Sequence, residues 1–169
     1  KTKWSWLCSN PAAIDIIKNE YNKNPDSAKI QWWGIRENPA AIGLIRAELK
    51  LNPDSTKVDW DWLSANELAV DLINTELKLN PNSSKINWYG LCLNPSAIDI
   101  ITEKLKSNPG STKIYWDQLC KNPAATDLIK AELVRNPNSS KIKWAWLCEN
   151  HMIFKSEEGS SVSQFSTSL

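Results

Sequence analysis

The chain has 169 residues, 20 Lys+Arg against 19 Asp+Glu for a formal net charge of +1, and 41% hydrophobic residues. That length suffices for one domain with a buried core, and the balance of apolar and charged residues excludes a chain disordered throughout. No apolar run approaches the length of a membrane-spanning helix, and near-neutrality argues against a strongly basic nucleic-acid binder.

In chain order, the first recognisable element begins at Trp4 and returns at Trp32, Trp60, Trp88, Trp116 and Trp144, a spacing of 28 without a slip. With this Trp as position zero, an apolar column follows three later: Leu7, Ile35, Leu63, Leu91, Leu119 and Leu147. Six later stand Asn10, Asn38, Asn66, Asn94, Asn122 and Asn150, with Pro next at 11, 39, 95 and 123, Glu67 and His151 being the departures. Thirteen later stand Ile17, Ile45, Ile73, Ile101 and Ile129. A second Asn-Pro pair closes each unit, from Asn24-Pro25 to Asn136-Pro137, ahead of a Ser column and a Lys column. Self-similarity at such a period marks a repeat architecture.

Each unit reads as two helices. The position-zero Trp opens a two-turn helix, which Asp59 or Asn87 caps in its own unit, with Ile86 and Leu91 spaced as a hydrophobic staple. The Asn at position six caps a second, three-turn helix with Pro at its first position; in the unit Asn94 to Lys106, Ala97, Ile98, Ile101 and Leu105 fall at helical spacing. Asn108-Pro109-Gly110-Ser111 then forms a turn. Strands are excluded, because period-two alternation is absent and Pro recurs twice in most units. Neither helix is stable alone in water, so the units must stack. The expected fold is all-α, an α-solenoid of about five and a half 28-residue helix-pair repeats over residues 3–154, with the position-zero Trp in its core. A Ser-rich tail over 155–169 is expected to be disordered.

These stretches, Lys3–Ile17, Val58–Ile73, Ile86–Ile101 and Ile142–Asn150, resemble the Trp/Asn-Pro repeat proteins abundant in giant DNA viruses, which look like runs of INWYWLSxNPxAIxLL. The resemblance covers about nine tenths of the chain and implies a viral or virus-derived protein. The family carries no assigned activity, and this chain differs in a longer segment, Asn-Pro-x-Ser-x-Lys, before the Trp.

Nothing points to catalysis. The single His, His151, has no Ser, Cys or carboxylate placed beside it by any motif, and no glycine-rich phosphate loop occurs. The acidic columns (Asp15, Asp71, Asp99, Asp127; Glu20, Glu48, Glu76, Glu132) read as solvated helix faces. Cys8, Cys92, Cys120 and Cys148 share one column, four after the Trp, with Arg36 and Ser64 in the same place. Cys148 and His151 resemble half a zinc site, but reduced packing thiols explain the column better, so no metal and no cofactor is expected. The glycosylation triplets Asn82-Ser83-Ser84 and Asn138-Ser139-Ser140 arise from the repeat's turn.

Two binding readings remain. Columns beside the Trp vary between units and are free to read a partner; the candidate protein-binding residues are Trp6, Trp33, Trp62, Tyr89, Tyr115 and Trp146. The null for these is filling of gaps between units. The alternative is a ladder of Lys29, Lys57, Lys85, Lys113 and Lys141 that tracks single-stranded nucleic acid while exposed Trp stack on its bases. Lys–Glu pairing on a solvated face competes with that reading. The expectation is a non-catalytic scaffold for another protein, and a structural or virion component is a third reading. The chain opens Lys1-Thr2-Lys3 with no signal peptide visible, which with free thiols suggests an intracellular protein. Neither end carries a polar capping unit, which suggests a longer natural array and self-association through the ends.

Overall fold

The computed structural model describes residues 3–150. Its α-helices alternate short and long: α1 Trp4–Ser9, α2 Ile14–Lys23, α3 Trp32–Glu37, α4 Ile42–Leu51, α5 Trp60–Ala65, α6 Val70–Leu79, α7 Trp88–Leu93, α8 Ile98–Ser107, α9 Trp116–Lys121, α10 Thr126–Arg135 and α11 Trp144–Leu147. This is an all-α solenoid. The tail and His151 lie outside the described residues. Among the described residues, no helix is long and apolar enough to cross a membrane.

The second helix of each unit starts differently from the expectation. Pro95–Ala97 forms a tight 3-10 turn that runs into α8, and the same turn precedes each of the other long helices. The Asn side chain sets this geometry. Asn94 Oδ1 accepts from Ser96 N at 3.0 Å, and the Asn94 carbonyl accepts from Ala97 N at 3.1 Å. Proline at the first position has no N–H to lose.

That asparagine also joins the units. Asn38 Nδ2 donates to the carbonyls of Cys8 and Asn10, both at 3.0 Å. Asn122 Nδ2 donates to those of Cys92 and Asn94 at 2.9 and 3.2 Å. Asn94 reaches Ser64 O at 3.2 Å and Asn150 reaches Asn122 O at 2.9 Å. The Cys8, Ser64 and Cys92 carbonyls lie in the last turn of a short helix and would otherwise lack a partner, while those of Asn10, Asn94 and Asn122 gain a second donor beside the N–H of their own 3-10 turn. The four asparagines are buried accordingly.

The core is built from the columns at three and thirteen. Ile35, Leu63, Leu91, Leu119, Ile17, Ile73, Ile101 and Ile129 are completely enclosed, as are the alanines that end the 3-10 turns at 41, 69, 97 and 125. The position-zero Trp is not the core that its recurrence suggests. Only Trp88 is buried; Trp4, Trp32, Trp60 and Trp116 are half-buried, and Trp144 is exposed. An indole this large, at the surface of a two-turn helix, reaches the edge of the layer rather than its centre.

Glycine two after the Trp permits close approach at two of the junctions between short helices. A Cβ at Gly34 would meet Cys8 Cβ at 3.0 Å, and one at Gly90 would meet Ala65 Cβ at 3.4 Å, so glycine lets α3 close on α1 and α7 on α5. Unit three has Trp62 in that column, and α3 and α5 approach each other less closely than any other successive pair of short helices. The same junction lacks the amide ladder: Asn66 caps its turn through Leu68 N at 2.9 Å but makes no bond to the unit before. Arg36 bridges it instead, 2.8 Å from Asp59, and Arg46 pairs with Asp71.

The two roles of asparagine separate by mutation. Asn122→Ala loses a cap and two buried bonds and is expected to cost about 2–4 kcal/mol in denaturant unfolding, whereas Asn66→Ala loses the cap alone, about 1 kcal/mol. Asn122→Asp keeps the cap acceptor but cannot donate, and is expected to be nearly as damaging as alanine.

Candidate functional site

The Glu, Ser and Lys columns converge. In α4, Glu48 accepts from Ser55 Oγ at 2.5 Å and from Tyr21 Oη at 2.9 Å, with Lys57 Nζ 3.2 Å from its other side. Glu20 accepts from Ser27 and Lys29, Glu76 from Ser83 and Lys85, and Glu132 from Ser139, with Lys141 at 3.6 Å. Glu48 and Glu132 are therefore buried members of a hydrogen-bonded cluster, which corrects the reading of this column as a solvated face. Seven residues separate Glu from Ser, spanning the end of the helix and the Asn-Pro turn that folds the Ser back. The aspartates at 15, 71, 99 and 127 are exposed as expected.

Each ladder lysine also lies over the Trp that opens its own unit. Lys29 covers Trp4 at 5.4 Å from the ring centre, Lys57 covers Trp32 at 5.7 Å, Lys85 covers Trp60 at 5.5 Å, Lys113 covers Trp88 at 5.7 Å and Lys141 covers Trp116 at 5.0 Å. Such contacts contribute about 0.5–1 kcal/mol each where solvent is near. Lys57 and Lys85 take a third partner, Asp26 at 2.7 Å and Asp54 at 2.8 Å. Four of the five ladder ammoniums are thus engaged by carboxylates of the same chain.

Burial pushes the Glu48 and Glu132 carboxyls upward, but the Ser, Tyr, Lys and Arg donors around them outweigh it and hold both below the ordinary carboxylate value. Burial, and then the bond to Glu48, push the Tyr21 phenol up to about 12.

The cysteine column serves the backbone. Cys8, Cys92 and Cys120 are buried, and their Sγ atoms accept from the N–H groups of Gln31, Tyr115 and Lys143 at 3.3–3.4 Å. Ser64 does the same for Asn87 N at 3.0 Å. Desolvation pushes the Cys92 thiol up to about 11 and raises Cys8 and Cys120. Cys148 is exposed, and among the described residues no group of His, Cys, Asp and Glu converges as metal ligands.

The varied aromatics stand outward. Trp6 is 72% exposed, Trp33 51%, Tyr89 49%, Tyr115 43% and Trp146 40%, while Trp62 is half-buried and packs against the core at the loosened junction. Tyr89 and Tyr115 meet edge to face at 5.4 Å. Lys3 lies over Trp6 and Lys121 over Trp146, the latter 3.5 Å from the ring centre. Trp144 is exposed too, at 58%, although its place in the position-zero column predicts core. Its signal was available: the position 25 residues on, where a covering lysine stands in the other units, is occupied by a leucine.

No protein-family model, no curated protein and no solved structure matches this chain.

Two outcomes are expected. With depressed carboxyls at Glu48 and Glu132, the unfolded chain binds more protons on the acid side. Their stabilisation is complete above the unfolded value of about 4.3 and is lost as pH falls through the lower folded value. Tyr21 acts oppositely: its contribution is complete below about pH 10 and is lost as pH rises toward the folded value. Unfolding midpoints across pH should show both limbs, and Glu48→Gln should shrink the acid limb to the part that Glu132 supplies and the alkaline limb to the part that burial of Tyr21 supplies. In native alkylation followed by mass spectrometry, Cys148 should react first and Cys92 slowest.

Proposed function

We propose that this chain is a non-catalytic repeat scaffold that binds another protein through aromatics displayed on successive short helices. The observation that carries the reading is the exposure of Trp6, Trp33, Tyr89, Tyr115 and Trp146 on a hydrogen-bonded frame that does not need them for its core. Rigid amphipathic rings give large contact area at low entropic cost, and a preformed frame spares the ordering cost of binding. Trp62 contributes less, because half of it is already packed. The resemblance to the viral Trp/Asn-Pro repeats belongs to the same reading.

The lysine ladder is the weaker surface. A phosphate backbone would have to displace Glu20, Glu48, Glu76 and Glu132 from their lysines, and the overall charge offers little long-range attraction. A single-stranded RNA titration at low and at moderate salt separates the two. The scaffold reading expects no salt-sensitive retention, together with capture of a protein partner that is lost in the Trp33→Ala, Tyr89→Ala double variant while its unfolding midpoint stays near wild type. Steep salt dependence lost on Lys85→Glu would overturn it in favour of nucleic acid.

A further inference from the structure

Unit four breaks the pattern of its neighbours in one place. Where the other four units have Glu20, Glu48, Glu76 and Glu132, it has Lys104. The aspartate that gives Lys57 and Lys85 a second acidic partner is also changed, to Asn82. Ser111 accepts from Lys113 N at 3.3 Å but has no carboxylate to donate to. Lys113 has no acidic partner among the described residues, and neither has Lys104. Both ammoniums instead lie over one indole, 5.8 and 5.7 Å from the centre of Trp88.

Trp88 is the most buried indole of its column, and its Nε1 is the one buried side-chain polar atom among the described residues with no hydrogen-bond partner. An unmet buried donor costs about 1–3 kcal/mol. Trp88 and Lys104 line a groove of about 420 Å³ between α6 and α8, a volume in the range of small-molecule sites. Leu77, Pro81 and Ile100 give it apolar walls. Asp99 and Glu103 also line it; both are exposed on α8, and Glu103 is engaged by Lys106 at 3.0 Å.

We propose that this groove is a binding site for an organic monocarboxylate with an apolar body. The carboxylate takes the part that glutamate plays in the sister units, paired with Lys104 beside Trp88 at the groove wall, with Lys113 over the same indole but outside the groove's lining. The hydrocarbon lies along Leu77, Pro81 and Ile100. A neutral molecule gains nothing from the Lys104 ammonium, and a small inorganic anion gains nothing from the walls. The site is independent of the aromatic surface proposed for protein binding.

The test follows the indole N–H of Trp88 in ¹H–¹⁵N correlation spectra at neutral pH, with the resonance assigned by its loss in Trp88→Phe. The probes are sodium octanoate, 1-octanol and inorganic phosphate. Octanoate is expected to shift the Trp88 signal saturably, with the other two giving little response. Lys104→Glu rebuilds the sister-unit cluster within the chain. It should raise the unfolding midpoint and weaken octanoate by about tenfold or more, the loss of one charge-assisted contact. Lys18→Glu makes the same charge change on the exposed face of α2, away from the groove, and should bind as wild type does. The proposal is overturned if Trp88 does not respond to octanoate, if octanol or phosphate matches octanoate, or if Lys104→Glu binds undiminished.

Discussion

One side-chain amide per unit carries the architecture. A six-residue helix followed by a ten-residue helix is too short to persist alone, so each unit depends on its neighbour for stability. Apolar burial supplies attraction between units but no register. The asparagine at the elbow supplies the register, because its oxygen folds its own 3-10 turn while its nitrogen satisfies the last carbonyls of the previous short helix. Both ends of the amide are used in the interior, where an unmet carbonyl is expensive.

Around that amide the other columns acquire their roles. The enclosed Leu and Ile columns fill the layer, and the Cys or Ser column accepts one N–H from the next unit. The Glu–Ser–Lys cluster ties the end of each long helix to the loop behind it, and its lysine shields the preceding Trp. These polar clusters are repeated rather than strong: exposed ion pairs of this kind contribute little singly. Their effect is to hold the long loop in one conformation, so that the next short helix starts in the right place. Where Arg36 replaces the thiol and Trp62 replaces glycine, the short helices α3 and α5 sit less closely, yet the core runs on through that junction to Leu63 and Ala69; it divides within unit three, between Ala69 and Ile73, with Trp60 packed against both parts.

Much of this was legible before any coordinates. The 28-residue period, the helix pair, the Asn-Pro turns and the caps at Asp59 and Asn87 all follow from local chemistry that a sequence displays directly. What was missed depends on contacts between units. Asparagine read as a cap only, yet a cap accepts Ser, Thr or Asp equally well. Asparagine in all six units was the signal that a donor was needed too, a donor that Asn38, Asn94, Asn122 and Asn150 use. The exchange of Cys for Ser64 carried a similar message, since the two share an acceptor atom and little else. Glu48 and Glu132 looked solvated because a carboxylate on a helix usually is; their burial depends on a serine folded back from the next loop. The position-zero Trp looked like core because it never changes, whereas it is retained at the layer's edge beneath a lysine. The aromatics Trp6, Trp33, Tyr89, Tyr115 and Trp146 were found from variation alone, and their exposure could only come from the folded chain.

Native-state amide hydrogen exchange tests the claim that side-chain atoms of one unit hold the backbone of the next. The amides of Gln31, Asn87, Tyr115 and Lys143, each donated to a Cys or Ser of the unit before, should be protected. The amide of Asp59, which faces Arg36 and has no such acceptor, should exchange much faster. Equal protection of Asp59 and its four counterparts would contradict the account.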